Sequence, residues 1–302
     1  MSARTAVAAL LLASCTTPAA QVAEPEQDLD AAQRLGWTQA CEDWDEWDKP
    51  GPAFRIHGNT WYVGTCGIGA IFIAGNDGHV LIDSGTEAGA QVILDNLGGG
   101  LAIDPVDIRA LLTSHDHFDH VGGMAVLQQA SGAPVITSFA ARAVLLSGVA
   151  DPADPQGGMH EAMRPVPRVE TLPADGVVRV GNLALTAIAT PGHTPGALTW
   201  QWESCDDTVC RTIVYADSLS PISRDGYRFS DHPEYVAQFR AGLARLAALD
   251  CDILLTPHPS ASGLRDKLLA GDLTGGQGCR AYATSISTRL DARLAEEAQA
   301  GG

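Results

Sequence analysis

The residues best suited to chemistry in this sequence are gathered in one short segment, His115-Asp116-His117-Phe118-Asp119-His120. In a loop of near-extended geometry, His115 and His117 point the same way and can hold one cation. The turn that follows brings Asp119 and His120 to a second position. Imidazole and carboxylate are suitable ligands for zinc. Such a dense group, in a chain that has nine histidines in all, predicts a metal site.

Three further polar segments follow strand-like runs and offer more ligands. They are residues 190–196, which include His193; residues 216–220, which include Asp217; and residues 256–259, which include His258. Catalytic groups commonly collect on loops at the ends of strands. Pro and Gly near both histidines restrict the backbone, as a preorganised ligand requires. We interpret the remaining histidines as ordinary surface or core residues: His57, His79, His160 and His232.

Short strands and helices must position these segments. Asp77-Gly78 between two β-rich runs is typical of a hairpin, and apolar residues at helical spacing predict a long helix over residues 234–249. Two halves that each give strands and then helices predict one α/β domain, an αββα sandwich of two packed mixed sheets with helices on the outer faces. The predicted strands are 61–63, 70–73, 80–83, 108–113, 177–180, 183–189, 198–202, 212–215 and 253–255, and the other predicted helices are 88–97 and 280–298.

The first 20 residues have the composition of a targeting leader. Arg4 supplies a positive charge, and residues 6–13 form an apolar run too short to span a bilayer. Leu12-Ala13-Ser14-Cys15 resembles the lipobox of bacterial lipoproteins, in which the Cys receives a lipid anchor. An ordinary secretory signal, cut near residues 17–20, is the other interpretation, and both remain open. Either leader exports the protein, so we expect a periplasmic location, with residues 21–52 as an N-terminal arm and 53–302 as the domain that contains the metal site.

Length and charge narrow the classes of function. A chain of 302 residues with 45% hydrophobic residues can bury a substantial core. The formal net charge of −17 would repel a polyanion, because nucleic-acid binding depends mainly on Lys and Arg that neutralise phosphates. We therefore expect no nucleic-acid partner.

The cysteine count agrees with export. Of seven Cys, Cys15 falls in the leader, and the six that remain are an even number suited to disulfides in an oxidising compartment. Cys205 and Cys210 flank a short turn between two strand-like runs, so we predict that they are paired. No C-x-x-C pair exists, so a zinc site built from cysteines is not supported.

The H-x-H-x-D-H pattern at residues 115–120, followed by His193 and His258, resembles the metallo-β-lactamase superfamily, and the similarity runs from about residue 53 to residue 283. The resemblance implies the αββα fold and two zinc ions per chain. It implies that Asp83, in Leu81-Ile82-Asp83-Ser84-Gly85, is a supporting residue rather than a ligand. The implied ligands are His115, His117 and His193 for the first zinc, and Asp119, His120 and His258 for the second.

Within the superfamily, the later segments are similar to class B β-lactamases of subclass 3. Subclasses 1 and 2 place a zinc-binding Cys in the third polar segment, whereas this chain has no Cys between residues 66 and 205 or between 210 and 251. Glyoxalase- and lactonase-type relatives use an Asp in this region to bridge two metals. We interpret Asp217 as a supporting residue, and the bridging role remains the alternative. The resemblance also implies the disulfides Cys41–Cys66 and Cys251–Cys279.

The activity that the resemblance implies is hydrolysis of the β-lactam amide bond in penicillins, cephalosporins and carbapenems, and with it antibiotic resistance. Two zinc ions that share a water would lower its pKa toward about 7 and give hydroxide at neutral pH. The sequence has no G-x-S-x-G or S-x-x-K serine motif, which agrees with a reaction that needs no protein nucleophile. Asp119 would orient the hydroxide as well as bind zinc. We expect a small-molecule substrate and a monomeric protein.

The carboxylate of a β-lactam needs a partner in the protein. We predict that Ser218 and Ser220 donate to it, helped by the metal charge, and that Arg224 is a weaker candidate. Gln156 lies in a Pro/Gly-broken stretch that could border the cleft. Plain turn chemistry is the alternative for both serines, and a solvated loop position is the alternative for Arg224.

Two other functions remain open. A different hydrolase of the same fold would act on lactones or on thioesters, as glyoxalase II does. An exported lipoprotein could instead use the site to hold or sequester zinc without catalysis. Structural zinc sites are closed, with four protein ligands that often include Cys. Six ligands divided as three and three leave positions for water, which counts against a closed site.

Overall fold

The structure is a computed structural model that describes residues 26–276 and 278–300. The predictions for the leader, including its cleavage site and the lipid anchor at Cys15, lie outside the described residues. Within the described part of the chain, no helix combines the length and the apolar character needed to cross a membrane.

Strands and helices follow one another along the chain as the sequence predicted in outline. The strands are Phe54–His57 (β1), Thr60–Tyr62 (β2), Ile71–Ile73 (β3), His79–Ile82 (β4), Ile108–Leu112 (β5), Val135–Thr137 (β6), Val169–Thr171 (β7), Val177–Val180 (β8), Leu183–Ala189 (β9), Leu198–Cys205 (β10), Cys210–Tyr215 (β11) and Ile253–Leu255 (β12). The helices are Glu26–Ala40 (α1), Gly89–Asp95 (α2), Phe118–Val121 (α3), Met124–Ser131 (α4), Phe139–Ser147 (α5), Pro233–Ala247 (α6), Leu264–Leu269 (α7) and Cys279–Ala300 (α8).

The strands form two sheets. The first has the order β1-β2-β3-β4-β5-β6-β7, antiparallel from β1 to β4 and parallel from β4 to β7. The second has the order β12-β11-β10-β9-β8 and is antiparallel except for the β11–β12 pair. Between the sheets lies a core in which Ile71 and Leu112 of the first sheet share one cluster with Trp200 and Tyr215 of the second. Face-to-face packing of two mixed sheets is therefore confirmed.

Helices cover the outer faces of both sheets. Successive strand residues point to opposite faces, so β4 places Ile82 in the core between the sheets and Leu81 in the outer core with Ile93 of α2 and Met124 of α4. The second sheet is covered in the same way. Its outer cluster combines Val214 and Leu254 of the sheet with Phe239 and Leu243 of α6 and Ile286 and Leu290 of α8. The αββα prediction is confirmed.

The sequence pattern did not predict α1, which occupies much of the arm. Its residues are mostly polar, and the helix depends on one large apolar side chain rather than on an apolar stripe. Trp37 is buried, with its ring centroid 5.8 Å from that of Phe54 and 5.7 Å from that of Tyr62. Strands β1, β6 and β7 and helices α5 and α7 were also absent from the prediction, because short segments give little periodicity.

Disulfides close three regions of the chain. The structure contains Cys41–Cys66, Cys205–Cys210 and Cys251–Cys279, so all three predicted pairs are confirmed. The first ties the residue after α1 to the loop that precedes β3. The third ties the start of α8 to the loop before β12. Both bridges therefore connect peripheral helices to the sandwich.

Candidate metal centre

Three of the predicted ligands meet at the ends of the two sheets. His115 follows β5, His117 precedes α3, and His193 lies in the loop between β9 and β10. Their ring centroids are 5.0 Å (His115–His117), 4.8 Å (His115–His193) and 4.7 Å (His117–His193) apart. One possible ligand atom from each lies within 4.8 Å of the others, a separation that could hold a metal ion. The residues that the sequence assigned to a first metal are thus brought together.

The other three predicted ligands form a second group beside the first. Asp119 and His120 lie in α3, and His258 follows β12. Asp119 Oδ2 lies 3.0 Å from Nε2 of His120 and 3.5 Å from Nε2 of His258. The His120 ring centroid is 4.9 Å from that of His258 and 4.3 Å from that of His115. All six predicted ligands therefore surround one region, with His115 and His120 where the two groups meet.

Gly123 allows this loop to approach the neighbouring one. A Cβ atom added there would lie 2.7 Å from Ala90 Cβ and from the Ser84 carbonyl oxygen, too close for any residue but glycine. The small residue at this position thus permits close packing of the ligand loop.

The ring tautomers show that the first group suits a metal. Nδ1 of His193 lies 2.9 Å from the Ser220 carbonyl oxygen, which can only accept, so Nδ1 carries the proton and Nε2 keeps a lone pair. Nε2 of His117 lies 3.0 Å from Asp154 Oδ2 and therefore donates, which leaves the lone pair on Nδ1. A metal-binding histidine typically donates its other ring N–H to a carboxylate or a carbonyl.

His115 follows the same rule. Its Nδ1 lies 3.0 Å from Ser114 Oγ, and that hydroxyl already donates to Asp83, so Nδ1 must supply the proton. Nε2 of His115 and Nε2 of His120 are buried and make no aligned hydrogen bond, although Asp119 Oδ2 lies 3.0 Å from the second. Buried polar atoms without a partner are rare in folded proteins. Their lone pairs fit a cation.

Burial keeps three of the predicted histidine ligands in the neutral form, whereas for His117 and His120 the carboxylates of Asp154 and Asp119 outweigh burial and raise the pKa. Burial lowers the pKa of His115 and of His193 well below the usual range, and it lowers the pKa of His258 to about 4. These rings are therefore neutral at pH 7, the form in which imidazole binds metals. Burial alone would raise the pKa of Asp119, but the adjacent His120 outweighs it and holds that pKa far below the usual value. Asp119 is a carboxylate.

Asp83 stabilises the loop that carries the ligands by accepting hydrogen bonds from the residue before His115. Its Oδ1 accepts from the Ser114 backbone N–H at 2.7 Å, and its Oδ2 accepts from Ser114 Oγ at 2.7 Å and from the Tyr215 hydroxyl at 2.9 Å. Burial raises the pKa of Asp83 to about 6 despite these bonds. It has a backbone φ of 63°, a left-handed conformation that Asp adopts more readily than most residues. It contacts the residue before His115 rather than joining either ligand group.

Asp217 lies on the side of His115 that faces away from the cluster. Its Oδ1 is 2.9 Å from Nδ1 of His115, and its Oδ2 accepts from the Leu219 backbone N–H at 3.0 Å. Oδ1 makes no aligned hydrogen bond, so the contact with His115 is mainly electrostatic. Asp217 belongs to neither group of possible metal ligands in the described part of the chain.

The two predicted serines occupy the loop after β11. Ser218 Oγ is buried without an aligned partner, and the Ser218 carbonyl accepts from the Tyr282 hydroxyl at 2.8 Å. Ser220 is half-buried, and its carbonyl is the acceptor for His193. The serines are thus adjacent to the ligands, and one of them has a free hydroxyl.

A cavity of about 390 Å³ opens beside His117. Gln156 and Arg224 line it, as do Asp116, His160 and Met163. Gln156 Nε2 is 3.5 Å from Nδ1 of His193, but that nitrogen already donates to Ser220, so the contact is not a strong hydrogen bond. Arg224 donates to the backbone carbonyls of Asp154 and Pro155 and lies over the Tyr227 ring at 5.2 Å. Its guanidinium therefore stabilises the loop that lines the cavity.

An aromatic rim, made of Trp44, Trp47 and Phe118, stands next to the second ligand group. The Trp47 ring centroid is 5.6 Å from that of Phe118 and 6.1 Å from that of His258, and the Trp44 ring centroid is 6.4 Å from that of His258. Trp44 is 70% exposed and Trp47 is 41% exposed. Large apolar side chains exposed beside a ligand cluster are suited to contact a bound molecule.

Sequence reasoning missed several of these residues. The aromatic rim could have been predicted from one feature of the sequence, the repeated Trp residues in an otherwise polar arm. His160 was interpreted as an ordinary residue, whereas it lines the cavity with its ring centroid 4.4 Å from that of Phe118. Asp154 and Tyr282 gave no local pattern, because each contacts a residue tens of positions away in the chain.

The comparison with known families agrees with this geometry. The family model described as the metallo-beta-lactamase superfamily matches residues 63–258, the span from the residue after β2 to the last predicted ligand. The chain belongs to the metallo-β-lactamase superfamily. It is a hydrolase of that superfamily, and its histidine clusters suit the metal ion, typically zinc, that the family uses.

Solved structures are similar to nearly the whole described fold. The MIM-2 metallo-β-lactamase is 56% identical, with a TM-score of 0.81 over 88% of this chain and 98% of that one. MEM-A1, a subclass B3 metallo-β-lactamase isolated from a soil metagenome library, is 37% identical, with a TM-score of 0.80 over 84% of this chain and 99% of that one. The expected similarity to subclass 3 is confirmed.

A curated relative carries a different name. The hydroxyacylglutathione hydrolase of Bradyrhizobium sp. (strain ORS 278) is 30% identical over 154 residues, which are 50% of this chain and 50% of that protein. This superfamily member thus spans about half the length of the curated relatives it matches.

Proposed function

We propose that this protein hydrolyses the β-lactam amide bond of penicillins, cephalosporins and carbapenems with two bound zinc ions, and so confers antibiotic resistance. The observation that supports this most strongly is the position of Asp217 behind His115, outside both ligand groups. A lactonase- or glyoxalase-type site requires a carboxylate that bridges the two metals. The Asp217 carboxylate instead contacts Nδ1 of His115. The 56% identity to the MIM-2 metallo-β-lactamase adds weight.

The six clustered side chains would hold the zinc ions as three and three. His115 Nε2, His117 Nδ1 and His193 Nε2 are the nitrogens with lone pairs for the first site, and Asp119, His120 and His258 would hold the second. Bound zinc supplies a Lewis acid and makes a water acidic enough to become a nucleophile near neutral pH. Three protein ligands per site leave room for that water, unlike the four of a closed structural site.

The chain's own residues orient the substrate and the nucleophile. Asp119, held as a carboxylate by His120, accepts a hydrogen bond from the attacking water and so orients it. The free hydroxyl of Ser218 donates to the substrate carboxylate, with Ser220 beside it. The aromatic rim contacts the apolar part of the substrate and excludes water from one side of the site. Gln156 and Arg224 line the cavity beside His117.

A second candidate is a thioesterase of the hydroxyacylglutathione hydrolase type, which the 30% identity to the Bradyrhizobium enzyme favours. In that case Asp217 would have to leave His115 and bind metal. The similarity covers only 50% of that relative, so the remainder of its length has no counterpart in the match.

The test is a spectrophotometric assay of the zinc-loaded protein with one penicillin, one cephalosporin and one carbapenem, beside a zinc count. We expect turnover of all three and its loss on chelation, with recovery when zinc is restored. A protein that holds two zinc ions and is inert toward all three would refute the proposal. Turnover of a glutathione thioester or an acyl-homoserine lactone in its place would establish the second candidate.

We further propose export to the periplasm by the leader. Fractionation of cells that produce the full chain should place the mature protein in the periplasm or on a membrane. The Cys15→Ala variant separates the two leader interpretations, because it releases a lipoprotein from the membrane but leaves a cleaved secretory protein unchanged. Retention of the uncleaved chain in the cytoplasm would exclude both.

A further inference from the structure

Asp154 lies outside every motif of the superfamily pattern described above, yet it contacts one of the clustered histidines. It sits in the long loop between α5 and β7 and is only 2% exposed. Its Oδ2 accepts from Nε2 of His117 at 3.0 Å, and its Oδ1 accepts from the Gln156 backbone N–H at 2.8 Å. A buried carboxylate is costly unless it is paired, so both oxygens are used.

The carboxylate beside His117 belongs to a different loop from the groups that contact the other two histidines from the loop after β11. His115 and His193 face Asp217 and Ser220, which belong to one loop after β11. His117 instead donates to a carboxylate of the α5–β7 loop, from which His193 has only the weak contact with Gln156. Arg224 joins the two loops, since its guanidinium donates to the Asp154 carbonyl.

We propose that Asp154 is a positioning residue for the first metal site. Because its carboxylate accepts the Nε2–H of His117, it fixes the ring tautomer and turns the Nδ1 lone pair toward the metal. Partners of this kind typically change metal affinity about 10–100-fold. The inference depends on the zinc binding in the proposed function but not on the identity of the substrate.

Asp151 provides a matched control in the same loop. Its Oδ1 accepts from the Ala153 backbone N–H at 2.8 Å, the same turn contact that Asp154 makes with Gln156. Within the described residues, Asp151 forms no ion pair with a histidine, whereas Asp154 does. Removing either side chain therefore costs one turn hydrogen bond, and only the Asp154 variant loses the partner of His117.

The experiment is a zinc titration of the full-length protein in competition with a chromophoric chelator. The wild-type protein should bind two equivalents tightly. Asp154→Ala should weaken one equivalent about 10–100-fold and leave the other unchanged, while Asp151→Ala should match the wild type. Asp154→Asn should fall in between, because its amide oxygen still accepts from His117 but lacks the charge.

Equal affinities in Asp154→Ala and Asp151→Ala would overturn the proposal, and so would an equal loss at both equivalents. If Asp154→Ala does not fold, the comparison of Asp154→Asn with Asp151→Asn decides the question. A wild-type protein that binds zinc tightly but does not open β-lactams would refute the proposed function alone, since the titration has no substrate. A wild-type protein without tight zinc sites would refute both.

Discussion

Asp217 Oδ1 lies 2.9 Å from Nδ1 of His115, and both side chains are fully buried. Nδ1 and Nε2 are on opposite edges of an imidazole ring, so a carboxylate on the first cannot also lie at the roughly 2 Å distance of a zinc ligand from a metal on the second. This arrangement makes Asp217 the partner that holds the His115 ring rather than a bridge between metals.

Replacing Asp217 therefore tests the type of site. Asp217→Asn should lower the zinc affinity about 10-fold and preserve a stoichiometry of two, because no metal ligand is lost. The measurement is zinc content after dialysis at graded free zinc, with the exposed turn variant Asp207→Asn as the control. Complete loss of one zinc would instead assign Asp217 to the metal.

Asp83 should be essential for stability. Asp83→Ala removes the acceptor for three donors and leaves a non-glycine residue without Asp's tolerance of a left-handed backbone. We expect a loss of about 3 kcal/mol or more in the free energy of unfolding. Asp83→Asn should lose less, since Asn accepts hydrogen bonds and tolerates this backbone. Urea unfolding of metal-free protein measures both, and equal losses would contradict the backbone argument.

Tyr282 links α8 to the serine loop. Tyr282→Phe leaves the buried Ser218 carbonyl without its principal donor, which should cost about 1–2 kcal/mol of stability. Because that loop also supplies the predicted substrate donors, KM should rise more than kcat falls. Thr288→Ala, which removes an exposed hydroxyl that donates to the Thr284 carbonyl in the same helix, is the control. An unchanged KM in Tyr282→Phe would show that the loop is held by other contacts.

Glu297 should make stability depend on pH in acid. Burial would raise its pKa, but Arg293 and the backbone N–H groups of Ser230 and Phe229 lower the pKa to about 2. The folded-state pKa is below the unfolded value of 4.5, so the stabilisation is complete above about pH 4.5 and is lost as the pH falls toward 2. Glu297→Gln should cost on the order of 2 kcal/mol at pH 6.

The difference between wild type and Glu297→Gln should shrink toward zero as the pH is lowered from 5 to 2. Urea unfolding with chelator present in every sample keeps metal release out of the comparison. The neighbouring exposed Glu296→Gln serves as the control. A difference that stays constant with pH would exclude Glu297 as the titrating group.

Metal removal should lower the thermal midpoint as well as abolish activity. Each zinc held at about 100 times its dissociation constant adds about 2.7 kcal/mol to stability, since only the folded cluster binds it tightly. Calorimetry before and after chelation should show a fall in Tm that zinc reverses. An unchanged Tm would mean that the cluster does not bind zinc under those conditions.

Much of the fold could be predicted from the pattern of apolar residues. The strands around Leu81 and Leu111 were visible as short continuous apolar runs, and the helix over Phe239 was visible because its apolar positions repeat with a helical period. Helix α1 was not visible, because a single buried residue, Trp37, replaces a stripe. Short strands such as β6 have too few residues to show a period.

The sequence by itself determined the chemistry of this protein. Metal-ligand types crowded into residues 115–120, and polar loops after strands at His193 and His258, specify a metal site because those groups have little other reason to occur together. Only the tertiary structure decided which nitrogen of each ring is free, that Asp217 lies behind His115, and that Asp154 and the aromatic rim join the site. Those relationships depend on contacts between segments far apart in the chain. Only the folded arrangement of the two sheets, their loops and the N-terminal arm brings such segments within a few ångströms.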